Sequence, residues 1–210
     1  DLLIEDRLPA TTIVVFHSRL TNRYRTYPVF SGQGMAARTN ANLVAISDPS
    51  IAMGDVDLAW YLGNRQLGAL RPHLSPLIHH VLVSLDTERT LLFGASGGAY
   101  AALNFASDFP DSIVLVVNPR LNLSAKPYPP MAQYLKTCHF ATSATPMKRI
   151  RRSFVTDNLA DVIGSKLASE VLLFQNTGDH LYYHYQTRPF IELYKDDPKL
   201  HTRFQHYATG

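Results

Sequence analysis

The chain has 210 residues, 46% of them hydrophobic and 18% charged, with a formal net charge of +3. Those values suit one globular domain with a sizeable core and exclude a disordered or strongly polycationic chain. No nucleic-acid-binding module is visible, no apolar run reaches the roughly 18 residues of a spanning helix, and Asp1-Leu2-Leu3-Ile4-Glu5-Asp6-Arg7 lacks the pattern of a secretory signal.

Cys138 is the single cysteine. An intrachain disulfide is therefore ruled out, and a reducing cytoplasm is the expected setting. The sequence starts without Met and reads as a single domain over residues 1–210, truncated at both ends.

In chain order, Leu2-Leu3-Ile4 suggests an early strand. Thr11-Thr12-Ile13-Val14-Val15-Phe16 is β-branched and apolar, as in a strand buried on both faces, and His17-Ser18-Arg19 follows at its end. Residues 43–47 give a second such strand, ended by Asp48-Pro49. The stretch between holds Ser31-Gly32-Gln33-Gly34, read as loop with a short helix. Gly32-Gln33-Gly34 is too short for a phosphate loop and has no Lys-Ser/Thr after it. Residues 58–62 and 72–85 read as helices. In the second, Leu74, Leu77, Ile78, Val81, Leu82 and Leu85 recur at three- and four-residue spacing. Ile113–Val117 is a further strand, ended by Asn118-Pro119-Arg120. Residues 121–168 change character, with Pro127, Pro129, Pro130 and Pro146 and scattered aromatics. They read as a lid or insertion over one sheet edge. Val171-Leu172-Leu173-Phe174-Gln175 resumes the strand pattern, residues 190–194 form a short helix, and residues 201–206 a last strand.

Strands alternating with helices predict an α/β domain, a mainly parallel sheet with helices on both faces. Functional groups then collect at the strands' C-terminal ends. Four such ends stand out: His17-Ser18-Arg19, Asp48, Ser96-Gly97, and Asn176-Thr177-Gly178-Asp179-His180.

The most informative stretch is Leu91-Leu92-Phe93-Gly94-Ala95-Ser96-Gly97-Gly98-Ala99-Tyr100. It reads as buried strand, sharp turn and helix start. Gly94-Ala95-Ser96-Gly97-Gly98 fits G-x-S-x-G, in which the two outer glycines remove side chains that would collide across the turn. Ser96 is the candidate nucleophile. The Gly97 N–H, at a helix N-terminus, is a candidate oxyanion donor.

With the strand–His turn before it and the strand–Asp turn after it, this stretch resembles the α/β-hydrolase superfamily over residues 11–210. Phe93-Gly94-Ala95-Ser96-Gly97-Gly98-Ala99-Tyr100-Ala101-Ala102-Leu103 with Asn118-Pro119 looks like bacterial α/β-hydrolase-like proteins linked to surface-glycan synthesis, some of them O-acetyltransferases. The resemblance implies Asp179 as the acid that orients a histidine base. It also implies that a backbone N–H of Ser18 or, by preference, Arg19 completes the oxyanion hole with Gly97. Ser18 stands where that family commonly has Gly. The His17 side chain reads as structural, and Asp48 as turn chemistry or a substrate-facing group.

The base has three readings. His206 ends the last strand. Thr209-Gly210 looks like the lead-in to a Gly-His pair beyond the end of the sequence. His180 and His184 are the remaining candidates. His180, His184 and Asp179 also share a helical spacing that invites a metal, but no H-E-x-x-H is present, and no metal or cofactor is expected.

The expected chemistry is acyl transfer through an acyl-enzyme on Ser96. Water is the acceptor in an esterase, and a glycan hydroxyl in an O-acyltransferase using a donor such as acetyl-CoA. The alternative is a non-catalytic binding module in a larger glycan-synthesis assembly. Lys148-Arg149-Ile150-Arg151-Arg152 reads as a solvated face, with a phosphorylated carrier or acidic glycan as the other reading.

Overall fold

The β-branched runs form one sheet in the computed structural model, which describes residues 1–20 and 26–207. Its strands are β1 (Leu2–Glu5), β2 (Thr11–Phe16) and β3 (Asn42–Ile46), then β6 (Arg89–Ala95), β7 (Ile113–Val117), β8 (Glu170–Asn176) and β9 (Leu200–Gln205). A separate two-residue hairpin pairs β4 (Gly63–Asn64) with β5 (Gly68–Ala69). The sheet order is β1-β3-β2-β6-β7-β8-β9. Among the described residues of this sheet, only the β1–β3 pairing is antiparallel. Register sets Phe16 opposite Gly94, Ala95 opposite Val117, and Val117 opposite Phe174. The C-terminal ends of β2, β6, β7 and β8 therefore lie side by side.

The helices are α1 (Gln33–Thr39), α2 (Arg71–Ser84), α3 (Gly97–Ala106), α4 (Met131–His139), α5 (Ala144–Phe154), α6 (Ala160–Ile163), α7 (His180–Tyr182) and α8 (Arg188–Tyr194). The main core joins Val14, Phe16, Val44, Leu92, Val116 and Leu173 of the sheet to α2, α3, α4 and α8. α3 is buried almost all round, which explains its run of Ala, Leu and Phe without a charged residue. α4 belongs to this core as well, through Met131, Tyr134, Leu135 and Cys138.

The opposite face is different. Ile13, Val15, Leu43 and Ala45 pack there on Ala36 of α1. Among the described residues no other helix joins that cluster. The same face of β7 and β8 is open, with Ile113 41% and Phe174 40% exposed.

Residues 58–62 are not the expected helix. Trp60 and Tyr61 have φ of 53° and 57°, in the left-handed region. Helical spacing was a poor guide because every side chain of this short apolar run is buried. The Tyr61 N–H goes to Asp48 Oδ2 at 2.7 Å and its hydroxyl donates to the Ile46 carbonyl at 2.8 Å. The buried Asp48 thus takes an N–H that a helix would have used internally.

Candidate active site

Ser96 stands between β6 and α3 with φ 49° and ψ −113°. For a residue with a side chain this conformation costs about 1–3 kcal/mol. Its neighbours leave no alternative. A Cβ on Gly94 would lie 2.2 Å from the Gly98 carbonyl oxygen, and one on Gly98 would lie 2.2 Å from that of Phe16. Sheet and helix meet backbone to backbone here. The Ser96 N–H is held by the Val117 carbonyl at 2.9 Å, and the Ser96 carbonyl accepts from the Arg120 N–H at 3.0 Å. Gly97 opens α3, so its N–H has no acceptor inside the helix.

The loop after β2 lies against this turn. His17 is 3% exposed. Its Nε2 accepts from the Asp48 N–H at 3.1 Å, so the proton sits on Nδ1, which donates to the Ser18 carbonyl at 2.8 Å. Burial pushes the imidazole below its ordinary value and favours this neutral form. In a trans peptide the C=O and the next N–H point in opposite directions. With the Ser18 carbonyl turned to the ring, the Arg19 N–H faces away from it. The Arg19 side chain is exposed and reaches Asp57 at 3.2 Å. Asp48 is fully buried, accepts from the Ser50 and Tyr61 N–H groups, and has its carboxyl pushed up by burial. It is part of the scaffold.

Asp179 follows β8, two strands from Ser96. Its Oδ1 accepts the Tyr182 N–H at 3.2 Å, the cap that starts α7. A widened, π-helical turn over Tyr183–Thr187 leads into α8. Among the described residues no histidine is hydrogen-bonded to Asp179 or Ser96. His206 is exposed, with Nδ1 3.1 Å from Thr177 Oγ1. His180 and His184 are exposed too. Thr209-Gly210 lies outside the described residues. Cys138 is buried and its thiol is pushed up to about 12 by desolvation, so it offers no competing nucleophile.

Two residues that sequence reading did not single out complete the site. Ser96 Oγ lies 3.2 Å from the Tyr182 hydroxyl. Arg120, 5% exposed, donates from one terminal nitrogen to that hydroxyl at 2.8 Å and from the other to the Pro127 carbonyl at 2.7 Å. Its guanidinium also lies 5.0 Å from the centre of the Tyr182 ring. Arg120 follows Asn118-Pro119 at a strand's C-terminal end, so the rule that flagged the other loops also covered it. Tyr182 was hidden in an aromatic run that reads as packing. Buried Gln186 ties these parts together. It accepts from the Leu121 and Asn122 N–H groups and donates to the carbonyls of Asn122, Ala125 and Lys126. In the basic cluster, Arg151 pairs with Asp157 at 2.6 Å, while Lys148, Arg149 and Arg152 are exposed.

A mostly parallel sheet with the serine turn at its centre and the aspartate turn two strands on defines the α/β-hydrolase fold, and this chain has it. By sequence, no family model and no curated relative matches. Among solved structures, the chain is similar to the capsule O-acetyltransferase of Neisseria meningitidis serogroup A, at 16% identity and TM-score 0.69, over 100% of this chain and 83% of that one. It is also similar to the Pyrococcus furiosus esterase Pf2001, at 16% identity and TM-score 0.61, over 97% and 76% of the two chains. A third likeness is to the glycosylation-associated Gap123 complex of Streptococcus agalactiae, at 12% identity and TM-score 0.63, over 99% of this chain but 40% of that one. Likeness at such identities is a likeness of fold. Among the described residues no helix is long and apolar enough to cross a membrane.

Proposed function

We propose that the chain is a serine-dependent acyltransferase acting on a glycan hydroxyl, with ester hydrolysis as the same chemistry on water. The observation that carries this reading is Ser96, held at φ 49° on the apex between β6 and α3 with its hydroxyl against that of Tyr182 at the end of α7. Strain of this kind persists where the surrounding structure enforces it, and it clusters at active sites. Ser96 attacks the acyl carbonyl, and the N–H groups of Gly97 and Arg19 receive the developing oxyanion. Asp179 orients a histidine that moves the proton. His206, a histidine following Gly210, and His180 or His184 are the candidates for that base. The donor is an ester or thioester such as acetyl-CoA, since an acetyltransferase of this fold is described in complex with CoA. Residues 121–168 are an insertion whose α4 side chains join the core, and its first stretch, fastened by Gln186 and by Arg120 on Pro127, serves as the lid. The buried, unpaired Cys138 fits a cytoplasmic setting.

The second reading is a binding module without turnover, within a glycan-synthesis assembly. It is favoured by one observation: among the described residues no histidine is hydrogen-bonded to Ser96. A fluorophosphonate probe separates the two. Labelling of the wild type and not of Ser96→Ala supports the enzyme. Equal labelling of both proteins refutes Ser96 as the activated nucleophile, and no labelling of either supports the module.

A further inference from the structure

Arg120 is a buried cation whose side-chain hydrogen-bond partners, among the described residues, are a carbonyl and a phenol, with no carboxylate among them. Burying a guanidinium without a counter-charge is costly, so its position calls for a reason. The hydrogen bonds supply one. Its N–H donates to the Tyr182 oxygen, which leaves the Tyr182 proton free for another acceptor. Ser96 Oγ lies 3.2 Å away, and of the two directions this hydroxyl pair allows, the one in which Tyr182 donates uses that proton. With Tyr182 donating, donors run in one direction, from Arg120 to Tyr182 to Ser96, and such chains strengthen each member. The Asp179 cap on the Tyr182 N–H fixes the backbone end of the same residue.

Resting on the acyl-enzyme reading above, we propose that Tyr182 is a further catalytic residue. It stabilises Ser96 Oγ as the leaving oxygen when the acyl group moves on, and Arg120 is its positioning residue. In that step the acceptor hydroxyl adds to the acyl carbonyl. The bond from the carbonyl carbon to Ser96 Oγ then breaks, the electron pair returns to Oγ, and the acceptor's proton reaches it through the general base. The O–H bond of Tyr182 stays intact throughout. It donates to an oxygen that gains charge as the bond breaks, and a hydrogen bond to a charged oxygen is stronger than one to a neutral oxygen. The same donor occupies a lone pair of the free serine hydroxyl and leaves its proton available to the base.

The test follows the acetyl-enzyme formed from p-nitrophenyl acetate by intact-protein mass spectrometry. The rate of its loss is measured after excess reagent is removed. Tyr182→Phe keeps the ring and removes the hydroxyl, and it should slow that loss by about 10- to 100-fold, the range for one hydrogen bond to a charged group. Its effect on KM should be smaller. Arg120→Lys should slow it less, and should add almost nothing on top of Tyr182→Phe, because Arg120 acts through the hydroxyl. An adduct present on wild type, absent from Ser96→Ala and lost equally fast from Tyr182→Phe overturns the role of Tyr182 while leaving the acyl-enzyme intact. Faster loss from Tyr182→Phe makes the tyrosine an obstruction and overturns the proposal. No adduct on wild type overturns the acyl-enzyme reading and this inference with it. Full additivity of the two substitutions overturns the role of Arg120.

Discussion

Gly98→Ala tests the packing on which the site depends. A Cβ on Gly98 lies 2.2 Å from the Phe16 carbonyl oxygen and 2.8 Å from that of His17. These are backbone atoms at the end of β2, where Phe16 is paired on both sides, with Ile46 and Gly94. Neither can swing aside as a side chain would. Opening the first contact to 3.0 Å takes about 0.8 Å, the difference between 3.0 and 2.2. Overpacking of this kind costs about 1–3 kcal/mol. In a domain of this size 1 kcal/mol is worth about 2–4 °C of Tm, so 2 kcal/mol corresponds to a fall of about 4–8 °C. In the oxyanion hole proposed above, the same opening would move the Arg19 N–H relative to Gly97, and misplacement near 1 Å costs on the order of 100-fold in rate. Thermal melts and fluorophosphonate labelling read the two effects. Gly34→Ala is the control: it lies in α1 with nothing within 4 Å of the added Cβ, and should leave Tm unchanged or raise it. A Gly98→Ala protein with the melting point and labelling rate of wild type would refute the backbone contact.

Asp179→Asn should keep its cap on Tyr182 and its Tm, because asparagine caps a helix as well as aspartate does, while turnover falls by about 10⁴. Asp48→Asn should mainly lower Tm, since an amide cannot accept from both N–H groups that now converge on the two carboxylate oxygens. If turnover fails in the second variant and survives in the first, the acid is misassigned. His139 is buried, and desolvation lowers its pKa from the ordinary 6.5. Below that pH the unfolded chain takes up a proton that the folded one resists, so stability falls as pH drops through about 6.5. His139→Gln should therefore reduce the Tm difference between pH 7.5 and pH 5.5; an unchanged difference would show that His139 does not contribute. Asp108 receives Arg71 Nε and Nη2 at 2.7 Å and Ser75 Oγ at 2.6 Å. Asp108→Ala should cost about 1–2 kcal/mol by denaturant titration at pH 7, and less at pH 3, below the ordinary carboxylate value of 3.8, where the unfolded chain takes up a proton that the Arg71-paired folded carboxylate resists.

The strands, the serine turn and the aspartate turn were legible because each leaves a local mark. A sharp turn needs Gly94 and Gly98, and a buried strand needs a run such as Ile113–Val117. Residues 58–62 were not legible as a turn. Their conformation is set by Asp48 and Ile46, which lie more than ten positions earlier, and an apolar run carries no trace of where its N–H groups go. Arg120 and Tyr182 escaped notice for a related reason. They are 62 residues apart and meet only because β7 and β8 are neighbours and their loops leave the same edge. The histidine base stayed divided among candidates because each is a single residue, His180 and His184 in the helical segment after β8 and His206 just past β9, and nothing local in the sequence marks which of them faces Ser96.

Gln186 has a consequence for how the chain tolerates change. All five of its bonds to residues 121–126 go to main-chain groups. It recognises the path of that segment and none of its side chains. Asn122, Ser124, Ala125 and Lys126 can be exchanged without losing this anchor, provided the length of the segment is kept. Gln186 itself has no such latitude. Glutamate has nearly its shape, yet it would turn a second acceptor toward three carbonyls. Gln186 thus holds the main chain of this segment while Leu121 and Leu123 hold it to the core, and the side chains between and after them are left free to vary.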